Sequence, residues 1–343
     1  MPTSLTAPKP GVLAWTEYAE PPLSADQVRI RCQHGAAKHG TELSFFKGAA
    51  QQRGPFDSHY LLHRPDAPDA NIPRPVDIGN MIVGEVIELG ADVTTLRLGQ
   101  RVCAFGPFRQ THTTRAAACW VMPDGMDWRS AVCLDPATFA LGAVRDSGLR
   151  IGDSAAVFGL GAIGLMVVQL LRLMGVCPII GVDPLATRRA VAEQLGAALT
   201  LDPAACDAGL EIKKATEARG ADAVIEYSGN ARAMQAALRG VAFGGNVVAG
   251  AFPSPYPAGL DLGAEAHMNI PNIIFSRACS QPDRDHPRWN MARINQVCWR
   301  LLCEGKLCGR RIVQPVVPFG QAKDEYAKIA AQPNEYLKLG VDF

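Results

Sequence analysis

The sequence predicts an α/β fold, with a doubly wound parallel sheet in the middle of the chain and a β-rich region before it. Three observations predict it. Residues 1–135 carry short apolar runs broken at close intervals by Pro and Gly. From about residue 137, strand-like runs alternate with helix-like ones. The first of those strands enters a glycine turn, GLGAIG at 159–164, that opens a long apolar helix.

In the N-terminal region, Gln27–Arg31 and Val83–Glu88 read as strands, the second ending at Gly90, and Leu98–Val102 reads as a turn entering a third. Residues 48–80 are rich in Pro, Asp, His and Gly and read as loop lining a cleft. In the middle region, Ser154–Phe158 is a strand, and the helix after the glycine turn runs to Met174 and stops at Gly175. Pro178–Val182 is the next strand, ending in Asp183, and Arg188–Leu195 is a helix stopped by Gly196. The alternation continues with a strand at Ala223–Tyr227, a helix at Ala231–Arg239 and strands at Asn246–Ala249 and Ile270–Ser276. Trp289–Glu304 reads as an amphipathic helix, and LKLGVDF ends the chain in a short strand.

A chain of 343 residues with 48% hydrophobic content can fill two cores. A formal charge of +1 without a basic run argues against a nucleic-acid partner. No apolar stretch reaches the length of a membrane span. MPTSLTAPKP lacks the layout of a leader peptide, so a cytoplasmic protein is expected. The ten cysteines form no CxxC pair and read as buried reduced thiols. Neither GxSxG nor a glycine loop with GK[ST] occurs, which leaves serine hydrolase and P-loop chemistry without support.

The glycine turn carries the first functional reading. It follows a strand, opens a helix, and is followed 19 residues after Gly164 by Asp183 at the end of the next strand. That is the layout of a dinucleotide-binding Rossmann site. Gly159 permits the turn, Gly161 lets a pyrophosphate approach the backbone, and Gly164 lets helix and strand pack. Ala162 and Ile163 begin a helix whose free N–H groups face the phosphates. Asp183 accepts bonds from ribose hydroxyls and repels a 2′-phosphate, which favours NAD over NADP. Arg188 and Arg189, a turn further on, pull the other way.

With these residues on the page, the chain resembles the medium-chain dehydrogenase/reductase superfamily, in its zinc-type alcohol and polyol branch. The resemblance covers nearly the whole sequence. It rests on GTE at 40–42, GNMIVGEVIELG at 79–90, LRLGQRVCAF at 96–105, DSAAVFGLGAIGLMVVQLLRLMG at 153–175, DAVIEYSGN at 222–230 and the terminal LKLGVDF. It implies a GroES-like β-rich catalytic domain at 1–136, a Rossmann domain at 137–283, a return to the catalytic domain at 284–343, and a homodimer or homotetramer. It also places Ser228 beside the nicotinamide.

The resemblance breaks at the metal. Where the family has a zinc-binding Cys, His and carboxylate, this chain has His39, Asn80 and Met81, and Asp135 falls where polyol dehydrogenases carry a Glu-Pro. The cysteine cluster of a structural zinc is absent. The expectation is therefore an enzyme without catalytic zinc. Thr41 matches the family hydroxyl that bonds the substrate oxygen, and His39 completes a proton relay. Asn80 donates to the developing oxyanion, and Asp135 orients His39 or binds a substrate hydroxyl. Glu42 matches a family carboxylate behind the site. His59, His63, His267, Lys38, Phe45, Phe46 and Trp120 read as surface or packing residues, and the position of Arg277 leaves open a contact with the cofactor or with a partner subunit. The expected activity is NAD-dependent interconversion of a small alcohol, polyol, sugar or cyclitol with its carbonyl. The alternatives are a zinc-free quinone or enoyl reductase and a non-catalytic nucleotide-binding protein.

Overall fold

The computed structural model describes the chain except residues 49–52, 66–74, 254, 257–258, 278–279 and 281 and the side chains of His39 and Asn334. It divides into two compact units: 1–128 with 313–343, and 129–312.

The first unit contains β1 (Thr3–Lys9), β2 (Val12–Glu17), β3 (Gln27–Ala36), α1 (His39–Lys47), β4 (Phe56–Asp57), β5 (Leu62–His63), β6 (Val76–Asp77), β7 (Met81–Leu89), β8 (Arg101–Phe105), β9 (Thr111–Arg115) and β10 (Trp120–Val121). β3 is its axis. One edge pairs with β7; the other pairs with β9 along its first half and with a late strand along its second. Alternation explains the strand: Val28, Ile30 and Cys32 are buried between charged neighbours, and Arg29 is buried because Glu20 and Glu88 pair with it. The stretch 48–80, expected as loop, holds the short pieces β4 to β6 among its described residues.

The second unit begins at α2 (Trp128–Ala131), whose first residue still belongs to the first unit. It continues with α3 (Leu134–Asp146), β11 (Ala155–Phe158), α4 (Ala162–Leu173), β12 (Ile179–Val182), α5 (Ala186–Leu195), β13 (Leu199–Leu201), α6 (Ala208–Ala215), β14 (Ala221–Glu226), α7 (Ala231–Gly240), β15 (Val241–Ala249), α8 (Glu265–Asn269), β16 (Asn272–Phe275) and α9 (Met291–Cys303). Its six strands are all parallel, in the order β13-β12-β11-β14-β15-β16. β11 is buried at every position, as a strand covered on both faces must be. Ile212, Met234 and Leu238 of α6 and α7 pack on Ala156 and Phe158, while Gly164 of α4 lies against Val157 on the other face. The chain then returns to the first unit with β17 (Val316–Pro318), α10 (Ala322–Ala331) and β18 (Gly340–Asp342). β18 is the strand that completes the second edge of β3.

The division differs from the sequence expectation at both boundaries. Residues 129–136 and 284–312 group with the parallel sheet rather than with the first unit. The reason is packing: α3 lies against both α4 and α9, so the helices before and after the sheet join one layer. Among the nine described cysteines none is in a disulfide; Cys32, Cys103, Cys133 and Cys298 are buried, but Cys177 is exposed. No helix among the described residues is long and apolar enough to cross a membrane.

Candidate active site

Strand order sets the candidate dinucleotide site of the second unit. The chain runs from β11 outward to β13, then crosses over and runs from β14 outward the other way. The order reverses between β11 and β14, and the crevice beyond their C-terminal ends is where such sheets bind ligands. Three sequence-predicted glycines stand there with distinct demands. Gly159 has φ +86°, and a Cβ on it would meet the Ser228 nitrogen at 2.6 Å. A Cβ on Gly164 would meet the Gly159 carbonyl oxygen at 2.0 Å. A Cβ on Gly161 would meet nothing within 4 Å. Two glycines therefore close the turn against the protein, and the third leaves open space at the N-cap of α4, where free backbone N–H groups point outward. Ala162 and Ile163 stay partly exposed at this mouth.

Asp183 ends β12 and is buried. Its Oδ2 accepts from the Leu160 N–H and its Oδ1 from the Leu185 N–H, each at 2.9 Å. The carboxylate thus ties the glycine turn to the next loop. Arg188 pairs with it at 3.6 Å. Arg189 is committed elsewhere: its Nη1 donates to the Asp183 and Pro184 carbonyls and pairs with Asp202.

Sequence reasoning did not find Glu226. It ends β14 fully buried, and burial pushes its carboxyl above the usual range. It accepts from the Ser228 N–H at 2.6 Å, from the Ser228 hydroxyl and from the Gly229 N–H at 3.0 Å. The Ser228 side chain predicted beside the cofactor is therefore turned to Glu226, and the backbone of that loop is pressed against Gly159. The signal in the sequence is a carboxylate closing an otherwise apolar strand, AVIEYSG.

The first unit carries the other group of sequence candidates. Two residues after β3 the chain enters α1, with His39 at its first position. The His39 side chain lies outside the described residues. Thr41, in the first turn, is partly buried. Asn80 opens β7: its backbone N–H donates to the Ala36 carbonyl and its carbonyl accepts from the Gly106 N–H, each at 3.0 Å. Its side-chain Nδ2 is buried with no hydrogen-bond partner, so a donor stands unused beside the end of β3. Glu42 connects these segments, accepting the Gly79 N–H at 3.0 Å. Burial pushes Glu42 up to about 7, against the pull of the Tyr326 hydroxyl, the Gly79 N–H, the Lys338 ammonium and the Lys38 N–H. The structure thus brings Thr41, Glu42 and Asn80 to neighbouring segments. Asp135 belongs to the second unit, buried in the first turn of α3.

The remaining sequence candidates fall as packing or surface groups. His59 and His63 are exposed around β5, with His63 facing the Gly54 carbonyl. His267 and Arg277 are exposed. Phe46 is buried edge-on against Tyr326, Trp120 sits edge-on to Phe105, and Phe45 is exposed.

Comparison with known proteins matches the arrangement. Residues 162–280 match the family model described as zinc-binding dehydrogenase. Over 99% of both chains, the sequence is 42% identical to D-guloside 3-dehydrogenase of Escherichia coli K12. The chain belongs to the medium-chain dehydrogenase/reductase superfamily. Solved members share its fold: 2R,3R-butanediol dehydrogenase from Bacillus subtilis superposes over all of both chains with TM-score 0.78 at 21% identity. Galactitol-1-phosphate dehydrogenase from Escherichia coli does so with TM-score 0.80 at 16% identity, over 99% of this chain and all of its own. As a member of this superfamily, with a Rossmann unit and a GroES-like unit, the protein is a dehydrogenase acting on CH–OH groups.

Proposed function

We propose that this dehydrogenase uses NAD to interconvert a secondary hydroxyl of a sugar or glycoside with the ketone, without a catalytic zinc. The 42% identity to a D-guloside 3-dehydrogenase over 99% of both chains carries the substrate class. Asp135 supports it, since a buried carboxylate is a good acceptor for the hydroxyls of a sugar.

The dinucleotide fits the second unit. Its pyrophosphate has the open space over Gly161 and the N–H groups of α4, and its ribose has Asp183. Asp183 favours NAD because its buried negative charge meets a 2′-phosphate unfavourably. Zinc does not fit the donors at the corresponding positions. Asn80 offers an amide and Met81 a thioether fully buried in β7, and neither suits zinc.

The bound NAD supplies the hydride acceptor. The protein handles the proton. Thr41 takes a hydrogen bond from the reacting hydroxyl and passes its own proton on, with His39 as the base two residues before it. Asn80 Nδ2 donates to the oxygen as charge builds there.

Purified protein assayed with NAD and NADP on methyl glycosides, polyols and simple alcohols, with zinc content measured in parallel, tests this reading. Glycoside turnover with NAD that survives chelation is expected. In His39→Ala, kcat should fall about a hundredfold with NAD affinity nearly unchanged. Stoichiometric zinc with chelator-sensitive activity would replace the relay by a metal. NADH-dependent quinone reduction without alcohol oxidation would move the protein to the reductase branch, and NAD binding without turnover would make it non-catalytic.

A further inference from the structure

Lys338 is buried in the first unit, 3% exposed, and its Nζ donates to the Ala37 carbonyl at 2.6 Å. The same peptide unit's neighbour is held from the same side: the Ala37 N–H donates to the Leu339 carbonyl at 3.0 Å. Both backbone groups of Ala37 are therefore bound by consecutive residues of the chain's tail. Ala37 is the last residue before the Lys38 N-cap of α1. On the far side of that turn, Glu42 feels the Lys338 charge and binds the Gly79 N–H. A buried ammonium held by a backbone carbonyl adds little stability over an apolar side chain, because its desolvation is costly. Its value lies in fixing one geometry.

We propose that Lys338 is a positioning residue for the alcohol site: its ammonium clamps the Ala37 carbonyl and so sets where the first turn of α1 presents Thr41. The inference rests on the reading of Thr41 as the substrate-facing hydroxyl. Gly79 is tied to the same turn, since Glu42 accepts its N–H at 3.0 Å. Tyr326 of α10 closes the cluster, fully buried beside Glu42.

The test compares wild type with Lys338→Met, Lys338→Arg, Glu42→Gln/Lys338→Met and Thr41→Val, using NAD and the fastest glycoside of the panel above. In Lys338→Met, kcat should fall about tenfold or more while the KM for NAD stays within about twofold. Lys338→Arg should recover most of the loss. Amide exchange at residues 37–42 should quicken in Lys338→Met and leave the second unit unchanged. A kcat within twofold of wild type, or a raised KM for NAD with intact kcat, overturns the proposal. If Lys338→Met does not fold, the double variant removes both charges together, and a normal kcat in it overturns the proposal equally. Thr41→Val separates the two readings. Full activity there sinks the assignment of Thr41, whereas an inactive Thr41→Val beside an active Lys338→Met sinks only the positioning role.

Discussion

At Glu42, burial opposes ionisation and four neighbours favour it, with burial the larger effect. A carboxyl raised from 4.5 to about 7 stabilises the folded chain in its protonated form. That stabilisation is complete below the unfolded value and is lost as pH rises through about 7. Glu42→Gln cannot titrate. Denaturant melts of the two proteins from pH 4.5 to 8 should therefore show the wild type losing about 3 kcal/mol relative to the variant. Parallel pH curves would show that folding leaves the Glu42 carboxyl unshifted. Residues of this kind were hidden from sequence reading. Ala37 and Lys338 are 301 residues apart, and no local spacing announces that they meet. Gly159, Gly164 and Asp183 were legible because their jobs are local: a turn, a close approach and a strand end lie within one βαβ unit. The sequence placed Ser228 in the right loop, but it could not show that Glu226 would take its hydroxyl.

Elements were legible where period and punctuation agree. β11, α4 and β12 follow the expected spans because an apolar run, a glycine turn and a capping glycine act in sequence. α3 was not read at all. Pro136 in CLDP resembles a break, yet it stands in the first turn of the helix, where a missing N–H costs nothing. The glycine turn at α4 yields a paired prediction. Gly164→Ala forces a methyl to 2.0 Å from the Gly159 carbonyl and must push α4 away from the turn. It should lower the melting temperature and weaken NAD binding at least tenfold. Gly161→Ala meets no protein atom, so its melting temperature should hold while NAD binding still falls. Fluorescence titration with NAD and a thermal melt read both, and equal melting temperatures for the two variants would refute the distinction.

At the scale of the molecule, the parallel sheet ends on an open edge. β16 pairs with β15 on one side, and Ile273 and Phe275 are 41% and 77% exposed. A short apolar edge with no partner on its outer side among the described residues invites pairing with another strand. Pairing of two copies of β16 across a two-fold axis, the homodimer implied by the family resemblance, covers it. Light scattering should give a dimer for the wild type and a monomer for Ile273→Lys/Phe275→Asp, and a monomeric wild type would remove the prediction. The two-unit organisation was legible from the change of style near residue 137, but not its limits. Those depend on α3 and α9 packing into one layer, which no local pattern encodes.

β18 closes the edge of β3 with almost the last residues of the chain. Synthesis on the ribosome is vectorial, so the parallel-sheet unit, whose 129–312 stretch is contiguous, emerges whole before the other unit has its final strand. The parallel-sheet unit can then mature while the other unit still waits on β17 and β18. A chain cut before β18 would keep the whole parallel sheet and leave the second half of β3 bare along one edge.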